Sequence, residues 1–222
     1  MKGLVCIMAY EDYIKAQKMG LKAFKAATSH GQYPYLPVLD EILSHADIEC
    51  EVSLGVMNIP LNQVVGTSTF GRTQAFASNF MPLLDYGSEF SIKWSYLVDA
   101  QIEEGIHDAI KAYEYMNEFY VLEGNKRVSV LKFFDAVSIA GTVTRIVPYR
   151  TEEKKNKIYY EFMELLEKSD NENKDNDNKK EDSKYIKFIK DNYIYISIGG
   201  GVLIILIIVL IILRHKKRGV LE

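Results

Sequence analysis

From Tyr193 to Leu213 the chain carries no charged residue, and the run from Val202 to Leu213 is aliphatic at every position. Wound as an α-helix, such a segment is about 30 Å long, the thickness of the hydrocarbon core of a bilayer. A surface helix of a soluble domain keeps a polar face, and this segment has none. Residues 193–213 therefore read as a single membrane-spanning helix, with Tyr193 and Tyr195 at headgroup level and Gly199, Gly200 and Gly201 of a kind that membrane helices tolerate. The competing reading is a buried core helix, although such helices are usually shorter.

Both flanks of the segment are basic. Arg214, His215, Lys216, Lys217 and Arg218 lie in a tail over 214–222, and Lys179, Lys180, Lys184, Lys187 and Lys190 precede the span. The positive-inside rule pulls both ends towards the cytoplasm. At the N-terminus a short apolar run is cut off by Glu11 and Asp12, so no secretory signal is expected. The expectation is a single-pass membrane protein, tail-anchored, with its large N-terminal domain in the cytoplasm.

Between Glu167 and Ser183 there is no apolar residue. Nothing there offsets the entropy of ordering, and residues 167–192 read as a polar stalk. The formal net charge of −3 offers no general basic surface for nucleic acid. The two cysteines, Cys6 and Cys50, form no C-x-x-C pair, and the four histidines stand apart from one another. Neither a disulfide framework nor a metal site is expected.

The soluble part divides by pattern into a helical segment (1–47), an α+β region (48–150) and an amphipathic helix (151–166). Tyr10 to Ala27 has helical spacing with Gly20 as a weak point, and its Lys15, Lys18, Lys22 and Lys25 form a solvated face or a weak contact with acidic lipid. Pro37 is placed to start a short helix ending at Leu43. Ile48, Cys50, Val52 and Leu54 alternate with polar residues, which predicts a strand with one wet face, a bulge at Gly55 and a continuation over Val56 to Ile59 stopped by Pro60. Phe90 to Glu104 reads as a helix capped by Gly105, Val128 to Phe134 as another, and Phe119 to Leu122 and Thr142 to Val147 as strands. Ile158, Phe162, Leu165 and Leu166 give the last helix one apolar stripe. Strands alternating with helices of unequal length predict an α+β or α/β class with a small mixed sheet.

The most pointed local feature is the strand, turn and helix around Glu123-Gly124-Asn125-Lys126-Arg127. A glycine turn leading into a helix N-terminus presents unpaired amides, and two adjacent cations add charge and directed donors. Phosphate suits such a place, but an ordinary solvated helix start has the same sequence. Thr67, Thr69 and Arg72, which flank Gly66 and Gly71, read either as a loop that closes over a nucleotide or as a plain turn-rich connection. The neighbouring acids Asp40–Glu41 and Glu103–Glu104 point apart on a helix and read as surface charge. Asn79 to Asp85 reads as an apolar plug.

The order of these parts resembles the ParB N-terminal and sulfiredoxin-like superfamily. The resemblance spans roughly Val52 to Pro148: an opening segment at Met57-Asn-Ile-Pro-Leu-Asn-Gln-Val with Arg72 following, a strand motif at Gly105-Ile-His-Asp-Ala-Ile-Lys-Ala-Tyr, the turn at Phe119-Tyr-Val-Leu-Glu-Gly-Asn-Lys-Arg, a helix and an edge strand over Val143 to Val147. It implies a nucleotide, CTP or ATP with Mg2+, whose phosphates are held by Gly124, Asn125, Lys126 and Arg127, with Glu123 as the acid ahead of the glycine. On this reading Arg127 clamps phosphate bidentately and Lys126 acts as a point charge. Ala109, Asn125, Ser129 and Val130 depart from the family pattern. No cysteine lies at the turn for sulfiredoxin chemistry, and no helix-turn-helix follows, so sequence-specific DNA binding is not expected.

Two functions follow from this. One is a membrane-tethered nucleotide-binding domain working as a switch, a weak nucleotidase or a kinase. The other is a non-catalytic adaptor that keeps the fold and binds a protein partner or a second copy of itself. No residue is assigned a catalytic role.

Overall fold

The computed structural model describes residues 2–172, so most of the stalk, the 193–213 segment and the basic tail lie outside the described residues. The chain forms two compact units that divide after Pro148. In the first, helix α1 (Lys2–Ser29) is followed by the short α2 (Leu39–Leu43), strands β1 (Ile48–Pro60) and β2 (Val64–Thr67), and helix α3 (Glu89–Glu103). Then come β3 (Ile110–Tyr115), β4 (Glu118–Glu123), α4 (Asn125–Phe133) and β5 (Ser138–Pro148). The second unit contains α5 (Lys154–Glu172), which begins within the expected helix and runs past Leu166 into the first stalk residues. Among the described residues no helix is long and apolar enough to cross a membrane.

The five strands make one mixed sheet in the order β1-β5-β3-β4-β2. Strands β1 and β5, and β3 and β4, pair antiparallel, whereas β5 with β3 and β4 with β2 pair parallel. This is the mixed α/β architecture that the alternating pattern predicts. Side chains alternate between the two sheet faces, as the pleat requires. Phe119 and Val121 of β4 enter the larger core with Ile110, Ala112 and Val143, and Tyr120 between them enters a smaller cluster with Leu39, Tyr115 and Ile146.

Helix α1 belongs to the larger core. Tyr13 and Ala16 are buried there with Trp94 and Val98 of α3, and Tyr13 Oη donates 2.6 Å to Leu84 O. Gly20 does not interrupt the helix. A Cβ there would collide with the carbonyl oxygen of Pro82, so its missing side chain is what lets the Met81–Pro82 backbone approach. The opposite face carries Lys15, Lys18, Lys22 and Lys25, all exposed, with Lys15 Nζ reaching to 5.4 Å from the Phe133 ring centroid.

Several expectations change in detail. Pro37 precedes α2 instead of opening it, because its carbonyl accepts from Thr67 N at 3.0 Å and holds the segment extended against β2. Strand β1 has its register shift between Ser53 and Gly55 and ends at Pro60, as the residues predict. The first three residues of its alternating apolar face are not covered, however: Ile48, Cys50 and Val52 are exposed at the outer edge of the sheet, and only Leu54 of that series packs against the core. Strand β2 was unforeseen, four residues that pair parallel with β4. Helix α3 closes as predicted, with Gly105 N donating to Ala100 O at 3.0 Å. The plug at Phe80 and Met81 is core.

Candidate functional site

Strand β4 delivers the chain to Gly124, which has φ 110° and ψ 18° and stands immediately before α4. Glycine is required there twice over. The left-handed conformation disfavours a side chain, and a Cβ would come within 2.5 Å of Ile110 Cγ2. The predicted strand, turn and helix are therefore all present. The first amides of α4 have no carbonyl one turn back to bond, which is the general condition for holding an anion.

The side chains around the turn do not converge as the sequence expectation had them. Arg127 Nη1 donates to Ala109 O at 2.5 Å and to Asp108 O at 3.2 Å, and its Nη2 stands 4.0 Å from Glu123 Oε1. It braces the segment entering β3 against the turn. Glu123 lies 2.8 Å from Lys111 Nζ, and that bond, with Arg127 adding a smaller effect, holds its carboxyl below the usual carboxylate range. Asn125 turns towards β2. Its Nδ2 donates to Thr67 Oγ1 at 3.3 Å, while its Oδ1 is buried without a partner. Thr67 is itself buried in β2 and donates to Val121 O at 3.1 Å, so it belongs to the sheet and not to a closing loop.

Lys126 takes a different direction from Arg127. Its Nζ stands 5.0 Å from the Phe90 ring centroid and borders a cavity of about 620 Å³. The opposite residues come from elsewhere in the chain: Ser88, Phe90 and Lys93 from the start of α3, and Phe70, Thr73 and Gln74 from the short 3-10 turn Phe70–Ala75. Arg72 lies on that turn between Gly71 and Thr73, two residues of the cavity wall. Ser88 is the N-cap of α3, its Oγ accepting from Ser91 N at 3.1 Å. The start of α3 and, from α4, Lys126 thus line one cavity, with a lysine from each helix.

Glu89 tempers this charge. It also lines the cavity and forms an ion pair with Lys93 one helical turn on. Among the described residues of the wall it is the one carboxylate. No group of three or more histidines, cysteines or acids stands together among the described residues.

Of the residues expected at the site, only Lys126 is among the residues that line the cavity, Gly124 forms the turn before α4, Arg127, Glu123 and Asn125 are engaged with the protein's own groups, and Arg72 lies on the Phe70–Ala75 turn. Lys93, Ser88, Phe70 and Gln74 were not foreseen. Ser88 before a helix start is a visible capping signal, but no local pattern says that this helix start shares a cavity with Lys126. No family model, no curated protein and no solved structure matches this chain.

Proposed function

We propose that this chain is a membrane-tethered nucleotide-binding protein of ParB/sulfiredoxin-like type, working as a switch. Its soluble part binds a nucleotide of the CTP or ATP class with Mg2+ in the cavity between the first turns of α3 and α4. The observation that carries the reading is that the N-terminus of α3, with its Lys93, and Lys126 from the first turn of α4 line one cavity of about 620 Å³, a volume within the range of small-molecule sites. Oriented amides and cations of this kind favour phosphate.

Switching is favoured over hydrolysis or phosphoryl transfer because Glu89, the wall's one described carboxylate, is already paired with Lys93. The bilayer enters through residues 193–213, which tether the domain on the cytoplasmic side. In this arrangement Lys126 contacts phosphate, and Arg127 keeps the turn in shape.

The adaptor reading retains one specific argument. Arg127 is satisfied by the carbonyls of Asp108 and Ala109, as a purely structural arginine would be. Thermal unfolding of the full chain in detergent, with CTP, ATP and Mg2+, separates the two. A nucleotide at ~100 times its Kd adds about 2.7 kcal/mol, or roughly 5–10 °C for a domain of this size. Lys126→Ala should remove that shift. Absence of any shift with every nucleotide tested would leave the adaptor.

A further inference from the structure

The cavity has two chemically different walls. Lys126 and Lys93 come to it from the helix starts, whereas Phe70 and Leu84 bring apolar surface from the segment before α3. Phe70 is 58% exposed and Leu84 38% exposed, so neither is spent in the core. The neighbouring Phe76 and Phe80 are by contrast wholly buried, so Phe70 is the phenylalanine of this segment whose ring is left open to the cavity. Gln74, four residues after Phe70 on the same turn, is exposed and lines the same space, and its carboxamide carries both a donor and an acceptor.

We infer that this cavity holds a base as well as phosphate, with Phe70 as the stacking platform and Gln74 as the group that reads the base edge. The inference rests on the nucleotide reading and adds to it the source of its selectivity. A ligand that fills both walls must have a planar, weakly polar end and an anionic end. Phosphate alone satisfies only the lysines. Stacking of a base on an aromatic side chain contributes enough to change affinity by roughly 5- to 100-fold, and it tolerates any base because each has a π-face. Discrimination among bases must then come from hydrogen bonds at the edge, which Gln74 can both give and accept.

The test compares CTP, ATP and GTP with inorganic tripolyphosphate, all with Mg2+, by titration calorimetry on the full chain in detergent. The nucleotides should bind at least about tenfold more tightly than tripolyphosphate. Phe70→Ala should weaken nucleotide binding by roughly 5- to 100-fold and leave tripolyphosphate unchanged, while Phe70→Tyr retains the wild-type ratio. Gln74→Leu should narrow the differences among the three nucleotides without touching tripolyphosphate, and Lys126→Gln should weaken all four ligands together. Tripolyphosphate binding as tightly as the nucleotides, or a nucleotide-to-tripolyphosphate ratio that Phe70→Ala leaves unaltered, overturns the base site while the phosphate site stands. Failure of all four ligands to bind overturns both.

Discussion

The indole Nε1 of Trp94 donates a 2.9 Å hydrogen bond to Ser129 Oγ, with both side chains wholly buried. This bond joins the middle of α3 to the middle of α4. Lys93 is the residue before Trp94, and Lys126 lies one turn before Ser129, so the bond sets the register that brings the two lysines to one cavity. The Ser129 hydroxyl thus serves the indole.

Removing that hydroxyl leaves a buried N–H without an acceptor. Ser129→Ala is expected to cost about 1–3 kcal/mol, read as a lower urea midpoint at unchanged slope. Ser129→Cys, which keeps a weak acceptor of similar size, should lose less.

Glu114 is 1% exposed and forms an ion pair with Arg145, its registered neighbour on the parallel strand β5; its other oxygen accepts from Asn117 N at 2.7 Å. Removing one partner strands a buried charge. Arg145→Met is expected to destabilise by about 3–5 kcal/mol. The pair Glu114→Met with Arg145→Met should recover most of that loss, the remainder reflecting the amide of Asn117. Chemical denaturation of the two variants beside the parent checks both statements.

Burial draws the Lys132 ammonium down from 10.5 to about 8, and its Nζ lies 5.1 Å from the Phe80 ring centroid. The sign follows from proton counting. Between about pH 8 and pH 10.5 the unfolded chain holds a proton that the folded chain has released, so stability from this group rises with pH across that window. Below it the buried charge costs at most about 3 kcal/mol. Lys132→Met should therefore be the more stable protein at pH 7, with the gap closing as pH approaches 10. Above about pH 10 the Tyr13 hydroxyl, pushed up to about 12 by burial, lowers the stability of both proteins alike as pH rises and leaves the gap between them unchanged. Urea midpoints for both proteins from pH 7 to 10 test the prediction, and parallel curves would refute it.

Arg127 and Lys126 are adjacent in sequence and separate in role, and their variants should separate likewise. Arg127→Ala removes the brace on the carbonyls of Asp108 and Ala109 and is expected to lower stability by about 1–3 kcal/mol, with the nucleotide shift reduced far less than in Lys126→Ala. Arg127→Lys should not restore stability, because one ammonium cannot replace the forked guanidinium. Equal loss of ligand response in both variants would return Arg127 to the phosphate.

Much of the architecture is legible locally. The bulge before Gly55, the stop at Pro60, the α3 end at Gly105 and the β4, Gly124, α4 turn each follow from preferences of a few consecutive residues, and the structure has all four. The uncharged run over 193–213 lies outside the described residues, and its reading as a membrane span rests on hydropathy alone. The partners are another matter. That Ile48 and Val52 lie on an uncovered edge, that Arg127 is taken up by Asp108 and Ala109, and that Lys93 faces the cavity of Lys126 all depend on which distant segments meet. Local periodicity states which face of an element is apolar, but the free energy that selects its neighbour comes from contacts between residues tens of positions apart. Only the packed sheet and helices decide those.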